Sequence, residues 1–142
     1  MRVLIDGDAS PVKEIAIDLC SKKGVECIIY IDYAHIYESS YASVIYCDQG
    51  KDSVDLKIAS NCIKDDIVIT QDYGLATLIL AKGGKVIHNN GFIINNNNID
   101  SLLESRYIGN KLRGKERIKG PRKRSNEDNI RFINTLNNLL GG

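Results

Sequence analysis

Nowhere does the chain approach the roughly 20 consecutive apolar residues needed to cross a bilayer. Its first residues also lack a signal-peptide pattern, because charged Arg2 leads straight into a short strand and then into Asp6. The expectation is a cytoplasmic protein that does not engage a membrane. Cysteine is sparse: Cys20, Cys27, Cys47 and Cys62 form no CxxC pair and no zinc-ligand spacing. A chain of 142 residues can bury its own core without disulfides, so reduced, mostly buried thiols are expected. There is no GxGxxG fingerprint, no P-loop and no internal repeat. The two histidines, His35 and His88, stand alone in sequence, and His88 reads as a polar strand-end residue.

What is present is a charge split hidden by a net of +1. Residues 1–105 carry 9 Lys or Arg against 15 Asp or Glu, whereas residues 106–142 carry 10 against 3. An acidic body beside a basic segment suits a protein that holds a cation and attracts a polyanion. Lys111, Arg113, Lys115, Arg117, Lys119, Arg122, Lys123 and Arg124 are the candidate phosphate-facing set, and Tyr107 is a candidate for stacking on a base. The bland alternative is a basic segment that solvates the surface or docks on the acidic part.

Strand and helix signals alternate, as expected for one α/β domain over 1–142 with segment 106–142 packed on or beside it. Strands are predicted at 2–5, 26–31, 43–46, 67–70 and 85–88. Helices are predicted at 11–23, with Pro11 in the first turn and Ser10 as cap, and at 52–62 and 73–82. Gly24 and Gly83-Gly84 act as stops. The spacing of Tyr33, Tyr37 and Tyr41 predicts one packed helical face. The asparagine-rich stretch 89–98 reads as a turn-rich excursion with room for a short strand, followed by a helix to Tyr107. Residues 109–125 read as a loop. The terminal helix 126–140 is predicted to turn Ile130, Ile133, Leu136, Asn137 and Leu140 inward, with Glu127 and Asp128 at its positive end. The fold class is a three-layer α/β arrangement: a mainly parallel sheet with helices on both faces, Rossmann-like.

The aspartates carry the chemistry. Val3-Leu4-Ile5-Asp6-Gly7-Asp8 and Ile67-Val68-Ile69-Thr70-Gln71-Asp72 each run from an apolar strand into acid. Parallel sheets bring such strand ends to one edge, where open α/β folds place their sites. Asp52 and Asp55, three residues apart, share one helical face. Two carboxylates about 4 Å apart repel by roughly 4 kcal/mol at an effective dielectric of about 20, so their convergence calls for a cation or a proton. Oxygen-only donors favour Mg2+ or Mn2+. The competing reading makes Asp8, Asp52 and Asp72 helix caps.

Three stretches, Asp6-Gly7-Asp8-Ala9-Ser10-Pro11-Val12, Asp48-Gln49-Gly50-Lys51-Asp52-Ser53-Val54-Asp55 and Asp66-Ile67-Val68-Ile69-Thr70-Gln71-Asp72-Tyr73-Gly74-Leu75-Ala76, resemble the YaiI/YqxD family of bacterial proteins, also called DUF188 or UPF0178. Gly120-Pro121-Arg122 followed by Asp128 and Phe132 extends the resemblance over nearly the whole chain. The family in turn resembles PIN-domain nucleases, whose clustered acids hold divalent metal for RNA cleavage. Carried over, the resemblance implies metal-facing Asp6, Asp8, Asp52, Asp55 and Asp72, with Thr70 as a supporting hydroxyl. Ser10 stands where the family usually has Cys, which argues against a cysteine nucleophile, and Ser125 stands where it usually has Thr.

The expected activity is metal-dependent hydrolysis of an RNA phosphodiester, with Asp6, Asp55 and Asp72 central and Thr70 and Ser10 supporting. Two alternatives stand beside it. One is a non-catalytic RNA-binding module. The other is a haloacid-dehalogenase-like phosphatase in which Asp6 is the nucleophile and Asp8 the general acid/base. Sequence assigns neither an oligomeric state nor a preference for RNA over DNA.

Overall fold

The computed structural model describes residues 1–8, 10–32, 36–48, 53–105 and 123–141. In chain order the elements are β1 (Arg2–Asp6), α1 (Lys13–Lys23), β2 (Glu26–Asp32), β3 (Ser43–Cys47), α2 (Val54–Asn61), β4 (Ile67–Ile69), α3 (Tyr73–Ala81), β5 (Lys85–Ile87) and β6 (Ile93–Ile94). Helical residues 99–105, here α4, and then α5 (Asn126–Leu139) complete the order. The sheet runs β3-β2-β1-β4-β5-β6. β1 pairs in parallel with β2 and β4, setting Ile5 opposite both Ile29 and Ile69, and β5 continues the parallel run. β6 alone is antiparallel. It is the short strand that the asparagine-rich excursion left room for.

The architecture is the three-layer α/β one that strand and helix alternation implies. Val3 and Ile5 pack on one face with Ala16, Ile17 and Cys20 of α1 and Phe132 and Leu136 of α5. Leu4 packs on the other with Val54 and Ile58 of α2, Leu75 and Ile79 of α3, and Ile99. A strand buried on both faces reads as a continuous apolar run rather than an alternation, which is why Val3-Leu4-Ile5 was legible. All four cysteines are buried and unbridged. Among the described residues, no helix is long and apolar enough to cross a membrane.

Three local expectations are corrected. α1 starts at Lys13 with Val12 as its N-cap. Ser10 Oγ instead accepts from the Val12 N–H at 3.4 Å, so it closes the turn before the helix rather than capping it. Residues 36–42 are irregular, not helical. Tyr37 is held there by Tyr46, whose hydroxyl accepts from the Tyr37 N–H and donates to the Tyr37 carbonyl, and Tyr41 donates to the Val25 carbonyl. Tyr33 and His35 lie outside the described residues, as does the predicted helix end at Tyr107. In α5 the inward face carries Asp128, Phe132 and Leu136, while Ile130 is 51% exposed. The phase is set by a capping box: Asp128 N–H bonds Ser125 Oγ, and Ser125 N–H bonds Asp128 Oδ2. Burying Asp128 turns every fourth residue after it inward.

α5 lies tightly over the turn that links β5 to β6. Thr135 Oγ1 donates to the Gly91 carbonyl at 2.6 Å, and Arg131 donates to the Asn90 carbonyl at 3.2 Å. Gly91 has φ +94, and a Cβ there would sit 2.5 Å from the Phe132 backbone N. Gly91→Ala is expected to cost about 2–4 kcal/mol, from overpacking plus the left-handed conformation. Thermal denaturation should then show Tm falling by roughly 6–15 °C. Gly24→Ala is the control: φ is also positive but nothing lies within 4 Å, so only the conformational cost, about 1 kcal/mol, should appear.

Candidate functional site

The order of the sheet reverses at β1. From there the chain winds outward through β2 and β3, then returns to place β4 on the other side of β1. In such sheets the crevice at the carboxyl ends of the two central strands is where ligands bind. Here the ends of those strands are Asp6 and the tripeptide Thr70-Gln71-Asp72. Alternation along β1 turns Asp6 toward the same face as Leu4, the face covered by α2 and α3. Both helices begin at this edge, so their positive ends face the carboxylates.

Thr70 Oγ1 donates to Asp6 Oδ2 at 2.8 Å and accepts from the Asp72 N–H at 3.0 Å. Asp72 is the N-cap of α3, with Oδ1 accepting from the Leu75 N–H at 3.1 Å. The cap reading of Asp72 therefore holds for one of its two oxygens and fixes the direction of the other. Asp55 sits in the first turn of α2, held by the Ser53 hydroxyl. Asp8 Oδ1 accepts from the Asp32 N–H at the end of β2, at 3.3 Å. Burial raises the Asp6 carboxyl to about 6; the Thr70 hydrogen bond opposes this, and the charges of Asp72, Asp8 and Asp55 add to it.

Asp6, Asp8, Asp55 and Asp72 thus belong to one electrostatic neighbourhood. Among the described residues, however, no three His, Cys, Asp or Glu side chains are gathered into a set that would hold one ion. Asp52 lies outside the described residues, as do Lys111, Arg113, Lys115, Arg117, Lys119 and Arg122. Lys123 is exposed. Arg124 is half-buried, with Nε donating to Asn129 and Nη1 to Asn90, at 2.9 and 2.8 Å.

The donor chemistry at Asp6 fits a hard divalent cation. The carboxylate is held by a neutral hydroxyl, it stands among other carboxylates, and among the described residues it makes no ion pair. Mg2+ is commonly held by one or two carboxylates with water and substrate phosphate, so Asp6 with Asp72 is a sufficient protein contribution. The contrast with the opposite edge is instructive. There Asp66, 1% exposed, is bonded at 2.6 Å by Arg2. Although burial works against it, the Arg2 and Ile63 hydrogen bonds bring its carboxyl below the usual range.

The chain matches the DUF188 family, described as the uncharacterized YaiI/YqxD family, over residues 4–142. The chain belongs to this family. A UPF0178 protein of Natranaerobius thermophilus is 43% identical over 99% of this chain and 96% of its own length. One from Clostridium tetani is 44% identical over 99% and 97%. Among solved structures, that of Rae1 (YacP) from Bacillus subtilis aligns with TM-score 0.46 and 19% identity over 80% of this chain and 83% of that one.

Sequence reading missed part of this YaiI/YqxD edge. The β5 end contributes His88, Asn89 and Asn90. His88 stacks on Phe92, with ring centroids 4.4 Å apart, and its Nδ1 accepts from the Asn90 N–H. Burial, with the charge of Arg124, lowers its pKa to about 4. It is a neutral structural ring, as the strand-end reading held. Asn89 donates to Gln71 Oε1 at 3.3 Å. The asparagines looked like turn composition, and only the parallel pairing of β5 with β4, Ile69 opposite Ile87, brings Asn89 beside Gln71.

Because the Asp6 pKa is raised from 3.8 to about 6, the folded protein binds the proton more tightly than the unfolded chain. The Asp6 contribution to stability should therefore rise as pH falls from about 7 toward 4, while His88, with its pKa lowered, contributes in the opposite sense. Without metal, Asp6→Asn should stabilise the protein at pH 7.5 by roughly 2 kcal/mol, allowing for screening at a half-buried group. The gain should fall below about 1 kcal/mol near pH 4. Urea denaturation of the chelator-treated proteins at both pH values measures it. A constant difference would show that the Asp6 charge is not the source.

Proposed function

We propose that the protein is a divalent-metal-dependent phosphodiesterase acting on RNA. The observation that carries this reading is the chain Asp6–Thr70–Asp72 at the reversal point of the sheet, with Asp55 and Asp8 beside it. Mg2+ or Mn2+ bound there would polarise a phosphate and lower the pKa of an attacking water. Asp6 and Asp72 are the residues to hold it. Thr70 orients Asp6 through its hydroxyl, and Asp55, Asp52 and Asp8 supply further negative charge or bind water. The starts of α2 and α3 point their positive ends at this edge and favour an anionic substrate. The basic residues from Lys111 to Arg124 would offset the repulsion between substrate phosphates and the acidic body. The family's relation to PIN-like nucleases agrees with this chemistry.

A phosphatase using Asp6 as nucleophile is a poorer fit. Asp8, its general acid, has Oδ1 engaged by the Asp32 N–H at the end of β2. The RNA-binding module differs from the proposal only in turnover, and the same assay separates them.

Purified protein is expected to cleave single-stranded RNA with Mg2+ or Mn2+ and to stop when the metal is chelated. Asp6→Asn and Asp72→Asn should each lower the rate by roughly 100-fold or more. Asn caps a helix about as well as Asp, so Asp72→Asn should keep its fold. Undiminished metal-dependent cleavage in both variants would refute the assignment, and binding without cleavage under any metal would leave the module.

Neutralising Arg113, Lys115, Arg122 and Lys123 together should weaken RNA binding strongly at low salt and much less at high salt, because counterion release is lost. Metal binding, followed by calorimetry, should be nearly retained. An equal loss at both salt concentrations, with unfolding, would make the segment structural.

A further inference from the structure

Two buried polar side-chain atoms have no hydrogen-bond partner among the described residues: Asn89 Oδ1 and Arg124 Nη2. They meet at the turn between β5 and β6: Asn89 lies in it, and Arg124, just before α5, is bonded to it through Asn90. Arg124 Nη1 bonds the Asn90 side chain, Asn90 N–H bonds His88, and Asn89 Nδ2 bonds Gln71. The Gln71 bond commits the amide nitrogen of Asn89 and leaves its carbonyl oxygen, on a side chain only 4% exposed, as an orphan acceptor. Arg124 is held by two neutral amides, and the Asp128 carboxylate acts on its charge through space. A buried orphan costs about 1–3 kcal/mol, more when charged, so an acceptor in the turn and a cationic donor packed on it call for a ligand that supplies both counterparts. Gln71 lies between Thr70 and Asp72, and the turn follows β5, two strand spacings or about 10 Å from β1. That places it beside the Asp6 edge, not in it.

We propose that this turn is the subsite for a ribonucleotide neighbouring the reacting phosphate, with Arg124 Nη2 donating to a phosphate oxygen and Asn89 Oδ1 accepting from the ribose 2′-hydroxyl. The proposal rests on the phosphodiesterase reading and adds to it how RNA is told from DNA. Phosphate supplies the acceptor that Arg124 lacks, with charge assistance. The 2′-hydroxyl is the donor that DNA does not have. Gln71 positions Asn89 and thereby links the subsite to the strand end that carries Asp72.

The test uses the full chain with metal chelated, so that binding is read apart from cleavage, by fluorescence anisotropy with a short single-stranded RNA, the same sequence as DNA, and RNAs carrying one 2′-deoxy position each. Wild type should bind RNA over DNA, and one position in the scan should cost roughly three- to tenfold in affinity. In Asn89→Ala that penalty should vanish. Arg124→Gln should weaken RNA and DNA alike by roughly tenfold or more, and Arg124→Lys should recover only part, since the guanidinium fork is lost. Melting curves of each variant identify any that fail to fold, and the single-deoxy scan on wild type does not depend on them. No position-dependent penalty, as a trapped water bridging the two atoms would give, or a penalty that persists in Asn89→Ala, overturns the subsite. Cleavage without this discrimination sinks the subsite alone, whereas discrimination without cleavage under any metal sinks the phosphodiesterase reading.

Discussion

The same two strands are joined at both ends, and the two joints differ in how they treat charge. At the amino ends of β1 and β4, buried Asp66 is met by the Arg2 guanidinium. At the carboxyl ends, Asp6 is met by the Thr70 hydroxyl, with further carboxylates around it. A buried carboxylate paired with arginine is satisfied within the protein. One paired with a neutral hydroxyl, among like charges, is not. The first joint closes the sheet, and the second gathers like charges at its edge. Since β1 is the central strand and buried on both faces, neither residue can turn away without disturbing the core around Val3, Leu4 and Ile5.

The second constraint is the seating of α5. Its capping box buries Asp128 at the start of the helix, and Arg131 at the next turn pairs with that carboxylate at 3.1 Å. From there Arg131, Thr135 and the backbone at Phe132 grip the β5–β6 turn. Arg124, just before α5, is thereby set against Asn90 at the same end of the sheet. Arg124 is anchored there by hydrogen bonds from its guanidinium to neutral amides. Asn90 is central to it, accepting from Arg124 with its side chain and from Arg131 with its backbone.

Legibility followed physical range. The five parallel strands were readable because each is a short apolar run between turn residues, and the helices between them because their stops, such as Gly24 with φ 67, are local. Errors arose wherever tertiary packing overrode a local period. Tyr37 and Tyr41 have helical spacing but are drawn into irregular chain by Tyr46 and Val25. Ile130 has helical spacing with Ile133 and Asn137, yet the cap at Ser125 rotates α5 so that Phe132 takes the inner position. Asp72 was read both as a cap and as a candidate site residue, and the cap is what positions it.

The amino-acid sequence by itself determined the elements, their α/β order, the family, and the acid-ended strands at Asp6 and Asp72, because these follow from apolar runs, turn residues and motifs a few residues long. It also determined the charge split, which is a matter of counting. Only the tertiary structure decided that β4 returns to the flank of β1 and brings Thr70 to Asp6 across 64 positions. It alone set Arg124 against Asn90 across 34. Such pairings depend on which strand lies beside which and on how a helix is rotated on the sheet, and neither is encoded in any single local stretch.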